Sequence, residues 1–444
     1  MLERRQWNSR LGFILAAAGS AVGLGNVWRF PYLAGENGGG AFLLLYLAFA
    51  FTIGLSVLLA ELAIGRAAKR EPVGAFRVLR GGLWTGAGYF GLAAAFFVLS
   101  FYSVVGGWTL AYIVKAAGSG LGAADGAAAA EIFSGLIADP VQPLIYHAIF
   151  MALTTTIVVR GVGSGIEMAS RWLMPALFIL LLILVVRALA LPGAGKGVAF
   201  YLAPDFTKVT GDTVIAALSQ AFFSLSVGLG ALITYGSYLD AREALPKSAV
   251  WVASIDTTVA VLAGLLIFPA VFAFNLDPAA GPGLTFVTLP TVFGQIPAGG
   301  VFALAFFLLL AVAALTSAVS LLEVPVAHLI DERGASRTSS AIGLGLVIFI
   351  LGIPSSLSLG LWSNQTFLGL GFMDLVDYAT TKVMMPVGSI LLCLFAGWIV
   401  YPRLAGEVGG AAAVTPVWLR VWGLFCKVVA PVAIIWILIA GLIA

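Results

Sequence analysis

The sequence has little charge and few of the side chains on which catalytic and metal sites depend. Only 10% of its 444 residues are charged, and it contains two cysteines and two histidines. Cys393 and Cys426 both fall in apolar stretches, which predicts buried thiols rather than a disulfide framework. His147 and His328 are too far apart in the chain to predict a metal site. Since the sequence also has no nucleophile–base pair or phosphate-binding loop, it gives an enzyme little support.

Hydrophobic residues are what the chain has in abundance. They make up 61% of the sequence, and the mean hydropathy is +1.07. Only a polytopic helical membrane protein fits this composition. Windows of about 20 apolar residues predict eleven spans, with approximate limits 11–34, 41–64, 84–114, 142–159, 170–191, 213–238, 248–275, 299–329, 339–353, 372–400 and 417–443.

Basic residues at the start of the chain have two interpretations. Arg4, Arg5 and Arg10 before a run of small apolar residues resemble a signal peptide, but the run continues to Leu33, which favours a retained first span. If the N-terminus is cytoplasmic, inner segments hold sixteen of the 23 basic residues, outer segments hold four, and three lie within spans. The positive-inside rule therefore predicts a multi-pass protein of the plasma (inner) membrane, with a cytoplasmic N-terminus and an extracytoplasmic C-terminus.

Glycines interrupt two of the predicted spans at the same tetrapeptide. Val22-Gly-Leu-Gly25 lies in the first span and Val227-Gly-Leu-Gly230 in the sixth. Glycine costs a helix interior roughly 1 kcal/mol relative to alanine, and backbone groups freed in mid-membrane persist only where protein or a water-filled cavity satisfies them. Both breaks therefore predict a site for something polar.

The spacing of the breaks predicts an inverted repeat. Because the sixth span starts five spans after the first, and five is odd, a second copy of the first five spans must lie upside down, which is typical of secondary transporters. We expect one transmembrane domain over 1–444, with a first repeat at about 11–191, a second at about 213–400 and an extra helix at 417–443. A channel could also use irregular backbone, but its filter usually needs an oligomeric ring.

Longer motifs surround these breaks and carry a family resemblance. They are Gly19-Ser-Ala-Val-Gly-Leu-Gly-Asn-Val-Trp-Arg-Phe-Pro31, Glu36-Asn-Gly-Gly-Gly-Ala-Phe42, Glu61-Leu-Ala-Ile-Gly-Arg66, Arg160–Glu167, Gln220–Tyr235, Gly281–Pro290 and Ala314–Ser317. Together they resemble the neurotransmitter:sodium symporter family over spans one to eight. The resemblance implies an all-α polytopic LeuT-type fold, a 5+5 inverted repeat with discontinuous helices one and six. With eleven spans instead of the family's usual twelve, the chain is most similar to the bacterial branch that handles hydrophobic amino acids.

The resemblance implies a zwitterion site at the two breaks. The substrate carboxylate would meet the backbone of Gly23, Leu24 and Gly25, because freed N–H groups form a positive helix N-terminus. The Tyr102 hydroxyl would hold the same carboxylate. The ammonium would meet the carbonyls of Ala21, Phe223 and Ser224 and the hydroxyl of Ser226. The substrate side chain would lie against Val98, Tyr102, Phe223, Leu229, Ser317 and Leu321. This mostly apolar lining favours leucine, methionine or aromatic amino acids, with taurine, GABA or another small zwitterion as the alternative.

The resemblance also implies two sodium ions as the only cofactors. The first would bind among Ala21, Asn26, Ser224, Asp256 and the substrate carboxylate. The second would bind among Gly19, Val22, Ala313, Thr316 and Ser317. Asp256 stands where many relatives have asparagine. A carboxylate inside a span is costly unless it is paired, so we expect Asp256 to supply the negative charge for which animal relatives use chloride.

Gates on both sides of the site follow from the same resemblance. The outer gate would pair Arg29 with Asp377, with Asp374 as the competing partner and Phe30 and Tyr102 or Phe223 as apolar lids. The inner gate would use Arg4, Trp7, Tyr238 and Asp331. Two further intramembrane carboxylates stand apart: Glu61 is predicted to accept N–H groups of the broken segments, and Glu323 could be structural or could titrate.

The leading hypothesis from the sequence is a sodium-coupled symporter of hydrophobic amino acids. Its partners would be the amino acid and the lipid bilayer, with no nucleic acid and no obligatory protein partner. A transporter of another small zwitterion and a non-transporting sensor or channel of the same fold are the alternatives.

Overall fold

The computed structural model describes residues 6–118, 121, 125–279, 283–409 and 416–443. Within these ranges the chain is built from helices, and the only strand-like pairings are two isolated bridges. The predictions for Arg4 and for the first two residues of the Gly281–Pro290 motif lie outside the described residues. The all-α architecture predicted from composition is confirmed.

Two of the membrane helices are broken. Helix α1 consists of α1a (Arg10–Ala21) and α1b (Gly25–Glu36), which are bent by 51°. Helices α2 to α5 follow at Gly40–Ala68, Gly82–Ala117, Gln142–Val159 and Val162–Leu189. Helix α6 consists of α6a (Gly211–Ser224) and α6b (Ala231–Ser237). Helices α7 to α11 cover Leu245–Ala273, Gly299–Arg333, Arg337–Leu357, Phe372–Ile399 and Val417–Leu442.

In the described part of the chain, nine continuous helices are long and apolar enough to cross a membrane, and the bent pair of α1 makes a tenth candidate. The halves of α6 are each too short to cross alone, so the count of eleven spans stays a prediction. Shorter helices lie between the spans at Pro72–Leu79, Gly126–Ala138, Ala194–Leu202, Leu284–Gly294 and Tyr401–Gly409. The repeat boundaries at 11–191 and 213–400 and the separate status of 417–443 likewise stay predictions.

Side-chain caps hold the starts of both broken helices. The Ser9 hydroxyl accepts the N–H of Gly12 at the start of α1a. At the start of α6a, Thr210 and Thr213 each accept the other's backbone N–H, a reciprocal capping box. Caps of this kind stabilise a helix by about 1 kcal/mol. The breaks are therefore built into helices whose ends are otherwise well formed.

The backbone at each break adopts a different conformation. In α1 the helix ends because Val22 is extended, with φ −65° and ψ 109°. In α6 the chain turns through positive φ at Ser226 (53°), Gly228 (87°) and Gly230 (73°). Glycine tolerates this region without the Cβ penalty of other residues. The repeated tetrapeptide thus marks two breaks of unlike geometry.

Packing places both breaks inside the helix bundle. Helix α1a packs against α5, α7 and α8, both halves of α6 pack against α2, and α3 runs along α8. Backbone groups freed at the breaks are therefore surrounded by protein, as membrane depth requires. This core is where candidate functional side chains can meet.

Candidate functional site

Hydrogen bonds link the two broken helices across the core. The Ser226 hydroxyl, in the α6 break, donates to the carbonyl of Ser20 at 3.1 Å. The Gln220 side chain of α6a donates to the carbonyl of Gly25 at 2.8 Å. The first bond gives a carbonyl at the end of α1a a partner on α6, and the second joins α6a to the start of α1b, so the two breaks form a single polar centre.

The Tyr102 hydroxyl of α3 lies at the amino end of α1b. It accepts the backbone N–H of Leu24 at 3.2 Å. Gly23 has no room for a side chain, because a Cβ there would lie 2.5 Å from the Ser317 hydroxyl and 2.9 Å from the Tyr102 hydroxyl. Only glycine fits, and its absence of a side chain lets two hydroxyls approach a positive helix end. The arrangement suits a carboxylate.

Apolar side chains lie beside these hydroxyls. Val98 is one helical turn before Tyr102 on α3, and Leu321 is one turn after Ser317 on α8, so each pair shares a face. Leu229 comes from the α6 break, and all three apolar residues are buried in one core cluster. Polar groups at the broken ends therefore lie next to an apolar lining.

Oxygen atoms from three helices meet at Asp256 on α7. The Ser224 hydroxyl donates to Asp256 Oδ2 at 2.7 Å, and the Tyr46 hydroxyl lies 3.1 Å from Ser224 Oγ and 3.5 Å from Asp256 Oδ2. The Asp256 side chain is fully buried. A buried carboxylate surrounded by hydroxyls is the donor set that a hard cation prefers.

Asn26 joins this cluster in an orientation that the sequence analysis did not predict. Its amide nitrogen donates to Asp256 Oδ1 at 2.7 Å and to Ser224 Oγ at 3.0 Å, while its oxygen accepts the N–H of Gly23 at 3.0 Å. The sequence analysis placed Asn26 among the ligands of the first ion without assigning the orientation of its amide. The Asp256 carboxylate attracts the donor end of the amide, which accounts for the orientation seen. The predicted ligand Ala21 is the last residue of α1a, where carbonyls lack helical partners.

A second oxygen cluster lies between α1a and α8. The Ser317 hydroxyl lies 3.0 Å from the carbonyl of Val22 and 3.5 Å from that of Gly19. The Thr316 hydroxyl lies 3.0 Å from the carbonyl of Ala313 and 3.4 Å from that of Val22. All five residues predicted for the second sodium site are therefore together, and every atom offered is oxygen. This composition fits sodium.

Glu61 of α2 holds the α6 break. Its Oε1 accepts the N–H of Gly228 at 2.6 Å, and the carboxylate is fully buried. A Cβ on Gly228 would lie 2.3 Å from the Ser389 hydroxyl of α10, so the turn is also packed tightly from the other side. The prediction that Glu61 accepts N–H groups of a broken segment is confirmed for α6.

At the predicted outer gate, the two charged residues do not touch. Among the described residues, no ion pair within 4.0 Å joins Arg29 to Asp377 or Asp374. Arg29 lies with its guanidinium 4.4 Å from the centre of the Phe223 ring, a cation–π contact, and its Nη1 has no hydrogen-bond partner. The charged gate residues are therefore not in contact, and the ring of Phe223 lies beneath the arginine.

Phe30 does not act as the lid that the sequence analysis allowed. It is fully buried and packs against Phe42, Tyr46 and Tyr201, with ring centres 5.8, 4.8 and 6.5 Å away. This aromatic cluster fixes α1b against α2, so Phe30 has a packing role. The prediction of Phe30 as a lid was wrong.

On the opposite side of the site, Trp7 seals α6b. Its indole N–H donates to the carbonyl of Tyr235 at 3.1 Å, and its ring meets those of Tyr235 and Tyr238 edge-on at 5.2 and 6.1 Å. Asp331, also assigned to this gate, accepts the backbone N–H of Glu71 at 3.2 Å. Trp7 and Tyr238 are therefore in contact, whereas the contact of Asp331 shown here is with the turn after α2.

Glu323 is part of a buried ion pair, which resolves the question left open by the sequence. Its Oε2 pairs with Arg337 at the start of α9, and its Oε1 accepts the hydroxyl of Tyr238 at 2.7 Å. Arg337 also donates to the carbonyl of Val158 at 2.7 Å. A carboxylate with both oxygens occupied in this way joins α4, α6, α8 and α9 and has a structural role.

Some residues of this centre escaped the sequence analysis. Tyr46 and Gln220 were given no role, although a polar residue inside an apolar span was a usable signal. Glu167 was noted only within a motif, yet it accepts the N–H of Asn8 at 2.7 Å and the hydroxyl of Ser9 at 2.9 Å. It thereby fastens the segment before α1a to the start of α5.

Comparison with known proteins identifies the family. The model of the sodium:neurotransmitter symporter family matches residues 4–126 and 137–444. The chain belongs to this family. The symporter is 41% identical to the sodium-dependent transporter YhdH of Bacillus subtilis, over 97% of this chain and 96% of that relative. It is 28% identical to the human sodium- and chloride-dependent GABA transporter 2, over 82% of this chain and 69% of that relative.

A solved structure gives the fold of the symporter. The crystal structure of MhsT in complex with L-phenylalanine superposes on this chain with a TM-score of 0.91 and 47% sequence identity. The match covers 99% of this chain and 100% of the MhsT chain. The LeuT-type fold predicted from the sequence is therefore confirmed. The protein is a sodium-dependent, multi-pass membrane transporter and not an enzyme.

Proposed function

We propose that the symporter takes up hydrophobic L-amino acids, coupled to two sodium ions and without chloride. The observation that carries this proposal is the meeting of three features at the broken helices: the Tyr102 hydroxyl at the amino end of α1b, an apolar lining, and two oxygen clusters. A zwitterion with an apolar side chain fits all three features. Its carboxylate would meet the Tyr102 hydroxyl and the first sodium ion, and its side chain would meet the apolar lining.

The apolar lining supports the substrate class. Val98, Leu229 and Leu321 are 4% exposed each, and none of them can pair with a charged side chain. MhsT, at 47% identity, has been crystallised with L-phenylalanine, which is a substance of this class. We infer that phenylalanine, tryptophan, leucine and methionine bind better than GABA or taurine, whose apolar parts are too small to fill the lining.

The first oxygen cluster supports chloride independence. Asp256 brings a full negative charge to the place where Asn26 and Ser224 meet. A sodium ion bound there would be balanced by Asp256 and by the substrate carboxylate, with no further anion. The human GABA transporter 2, whose name states a chloride dependence, is 28% identical to this chain. Under our proposal, Asp256 accounts for the difference in chloride use.

Coupling would follow from the position of the first ion beside the substrate. A sodium ion bound by the substrate's own carboxylate makes each ligand raise the affinity of the other, and this coupling is reciprocal. A sodium ion crossing a potential of 100 mV releases about 2.3 kcal/mol. Two ions per cycle therefore suffice to concentrate the amino acid by several orders of magnitude.

We infer that the two gates open in turn. Trp7 and Tyr238 close the side we assign to the cytoplasm, in keeping with the charge asymmetry of the sequence. On the other side, Arg29 and Asp377, both described in the structure, form no ion pair, and closing of α1b against α10 would bring them together. Substrate bound under Phe223 would lie between these two seals.

Competition binding tests the substrate class. Purified symporter in sodium buffer is equilibrated with radiolabelled tryptophan and challenged with leucine, phenylalanine, GABA and taurine. We expect leucine and phenylalanine to displace tryptophan and the two small zwitterions to fail at the same concentration. Displacement by GABA at concentrations where leucine is inert would contradict the proposal. Potassium replaces sodium in the control.

A further inference from the structure

A loop between α9 and α10 carries large apolar side chains that the rest of the described protein leaves uncovered. Leu361 is 68% exposed, Trp362 40%, Phe367 65% and Leu368 83%. We call residues 361–370 the α9–α10 hairpin. Soluble surfaces rarely present so many large apolar groups together, and such a patch marks an interaction site.

The α9–α10 hairpin is held in shape by its own hydrogen bonds. Phe367 and Leu370 exchange backbone hydrogen bonds of 2.9 and 3.0 Å around a tip in which Leu368 and Gly369 have positive φ. At its base, the Ser358 hydroxyl accepts the N–H of Met373 at 3.1 Å. The exposure of its side chains is therefore a property of a defined turn.

The sequence around the hairpin has no charge. No Asp, Glu, Lys or Arg occurs between Arg337 and Asp374. With the predicted eleven spans, the segments after α3, α5 and α7 emerge on the same side of the bundle as the hairpin, since an odd number of spans precedes each. Each of these three segments carries charged residues, among them Asp125, Asp205 and Asp277. Unlike these segments, the α9–α10 hairpin has no charged residue, as expected for a segment in an apolar environment.

The length of α9 fixes the depth of the hairpin. Its 21 residues rise about 1.5 Å each, so the helix spans about 31 Å, close to the roughly 30 Å of a bilayer's hydrocarbon core. The hairpin begins at once after α9 and therefore lies at the level of the lipid headgroups.

The exposed face of α9 leads directly into the hairpin. Ile342, Leu346 and Ile350 recur every four residues and are 54%, 57% and 53% exposed, as expected for a stripe that contacts lipid. Leu361 lies four residues after Leu357, the last residue of α9, and is 68% exposed. Exposed apolar side chains therefore continue along the chain from the helix into the hairpin.

We propose that the α9–α10 hairpin inserts its tip, Phe367 and Leu368, into the interfacial layer of the bilayer. Aromatic and aliphatic side chains are favoured there, where the polar backbone of a turn can still reach water and headgroups. The hairpin leads into α10, so its insertion anchors the helix that carries Asp377. The competing occupant of this face is a second copy of the chain.

A fluorescent probe at the tip tests the proposal. Leu368→Cys is labelled with an environment-sensitive dye such as NBD, reconstituted in phosphatidylcholine–phosphatidylglycerol vesicles, and exposed to aqueous iodide or to lipids brominated near the headgroup. The native Cys393 and Cys426 are fully buried and serve as an unlabelled background. The matched control is Lys208→Cys, because Lys208 is 60% exposed and pairs with Asp205 in a charged loop on the same side.

We expect the Leu368 probe to emit at shorter wavelength than the Lys208 probe, to lose more fluorescence to brominated lipid and to lose less to iodide. Equal iodide quenching at the two positions would overturn the proposal, because the tip would then lie in water. Protection from iodide without quenching by brominated lipid, lost when the protein-to-lipid ratio is lowered, would overturn it in favour of a second copy of the chain.

Discussion

Replacing Asp256 with asparagine removes the negative charge from the candidate site of the first sodium while keeping its shape. In the structure Asp256 accepts hydrogen bonds from Asn26 and Ser224, each at 2.7 Å. The variant retains one side-chain oxygen, which can still accept the hydrogen bond of Asn26, whereas its NH₂ would face the Ser224 and Tyr46 hydroxyls and removes one cation ligand. The change therefore weakens the cation site without opening a cavity.

The size of the effect follows from electrostatics. A carboxylate and a monovalent cation about 4 Å apart attract by about 4 kcal/mol at an effective dielectric constant of about 20. The remaining amide oxygen recovers part of this, so we expect a loss of about 3 kcal/mol, which is about a hundredfold in sodium affinity. Chloride bound nearby would restore the missing charge, so part of the loss should be recovered in chloride medium.

The assay is sodium-dependent tryptophan uptake by the Asp256→Asn variant in chloride and in gluconate. We expect the half-saturating sodium concentration of the variant to rise strongly in gluconate and to fall again in chloride. For the unmodified protein we expect the same half-saturating sodium concentration in both media. The control Asp277→Asn lies in the loop after the same helix and should behave as the unmodified protein. An unmodified protein that needs chloride, or a variant with unchanged sodium affinity in gluconate, would refute the reasoning.

Three further substitutions probe other parts of the site. Gly23→Ala should abolish tryptophan binding in the presence of sodium, because its Cβ would fall 2.5 Å from a neighbouring hydroxyl. The control Gly135→Ala has open space around it and should bind tryptophan normally. Equal binding by both variants would show that the close approach at Gly23 is unimportant. Glu61→Ala should lower the free energy of unfolding by about 1–3 kcal/mol, because the buried N–H of Gly228 loses its acceptor. Glu61→Gln keeps an acceptor oxygen and should recover most of this loss in thermal unfolding. A glutamine variant as unstable as the alanine variant would show that the charge of Glu61 matters instead. Leu229→Phe should reduce the space for the substrate and shift the binding preference from tryptophan toward leucine by about 1–3 kcal/mol. The measurement is the ratio of the inhibition constants of the two amino acids. An unchanged ratio would show that Leu229 does not line the substrate site.

Much of the site could be predicted because glycine patterns mark breaks in membrane helices. The tetrapeptides at Val22 and Val227 located both discontinuities, and the structure has them in α1 and α6. Motif resemblance then grouped Thr316 and Ser317 with the carbonyls of α1a, which the structure brings within 3.5 Å. The breaks depend on local sequence, so one chain suffices to find them, whereas the grouping of Thr316 and Ser317 with α1a rests on the family resemblance.

Contacts between distant spans could not be predicted in the same way. The partner of Glu323 is Arg337 on the next helix, and only packing brings them together. Phe30 was assigned to a lid from the family resemblance, whereas in the structure it packs against Tyr46 and Tyr201. The orientation of the Asn26 amide depends on the charge of Asp256 across the core.

Helix α5 shows why span limits were missed. The structure begins it at Val162, whereas hydropathy placed the start at 170. Residues between these positions include Ser164 and Glu167, which lower the hydropathy of the window. Glu167 is nevertheless buried, because Asn8 and Ser9 donate hydrogen bonds to it. Hydropathy measures composition and cannot register a polar residue whose partners come from elsewhere in the chain.

The central claim is that a sodium gradient drives hydrophobic amino acids through the site between α1 and α6. Its most direct test is uptake of radiolabelled tryptophan into proteoliposomes, with an inward sodium gradient compared with potassium at both sides. We predict accumulation above the external concentration only with the sodium gradient, its collapse on adding a sodium ionophore, and competition by leucine. Binding of tryptophan without accumulation under any sodium gradient would contradict the claim and favour a sensor built on the transporter fold.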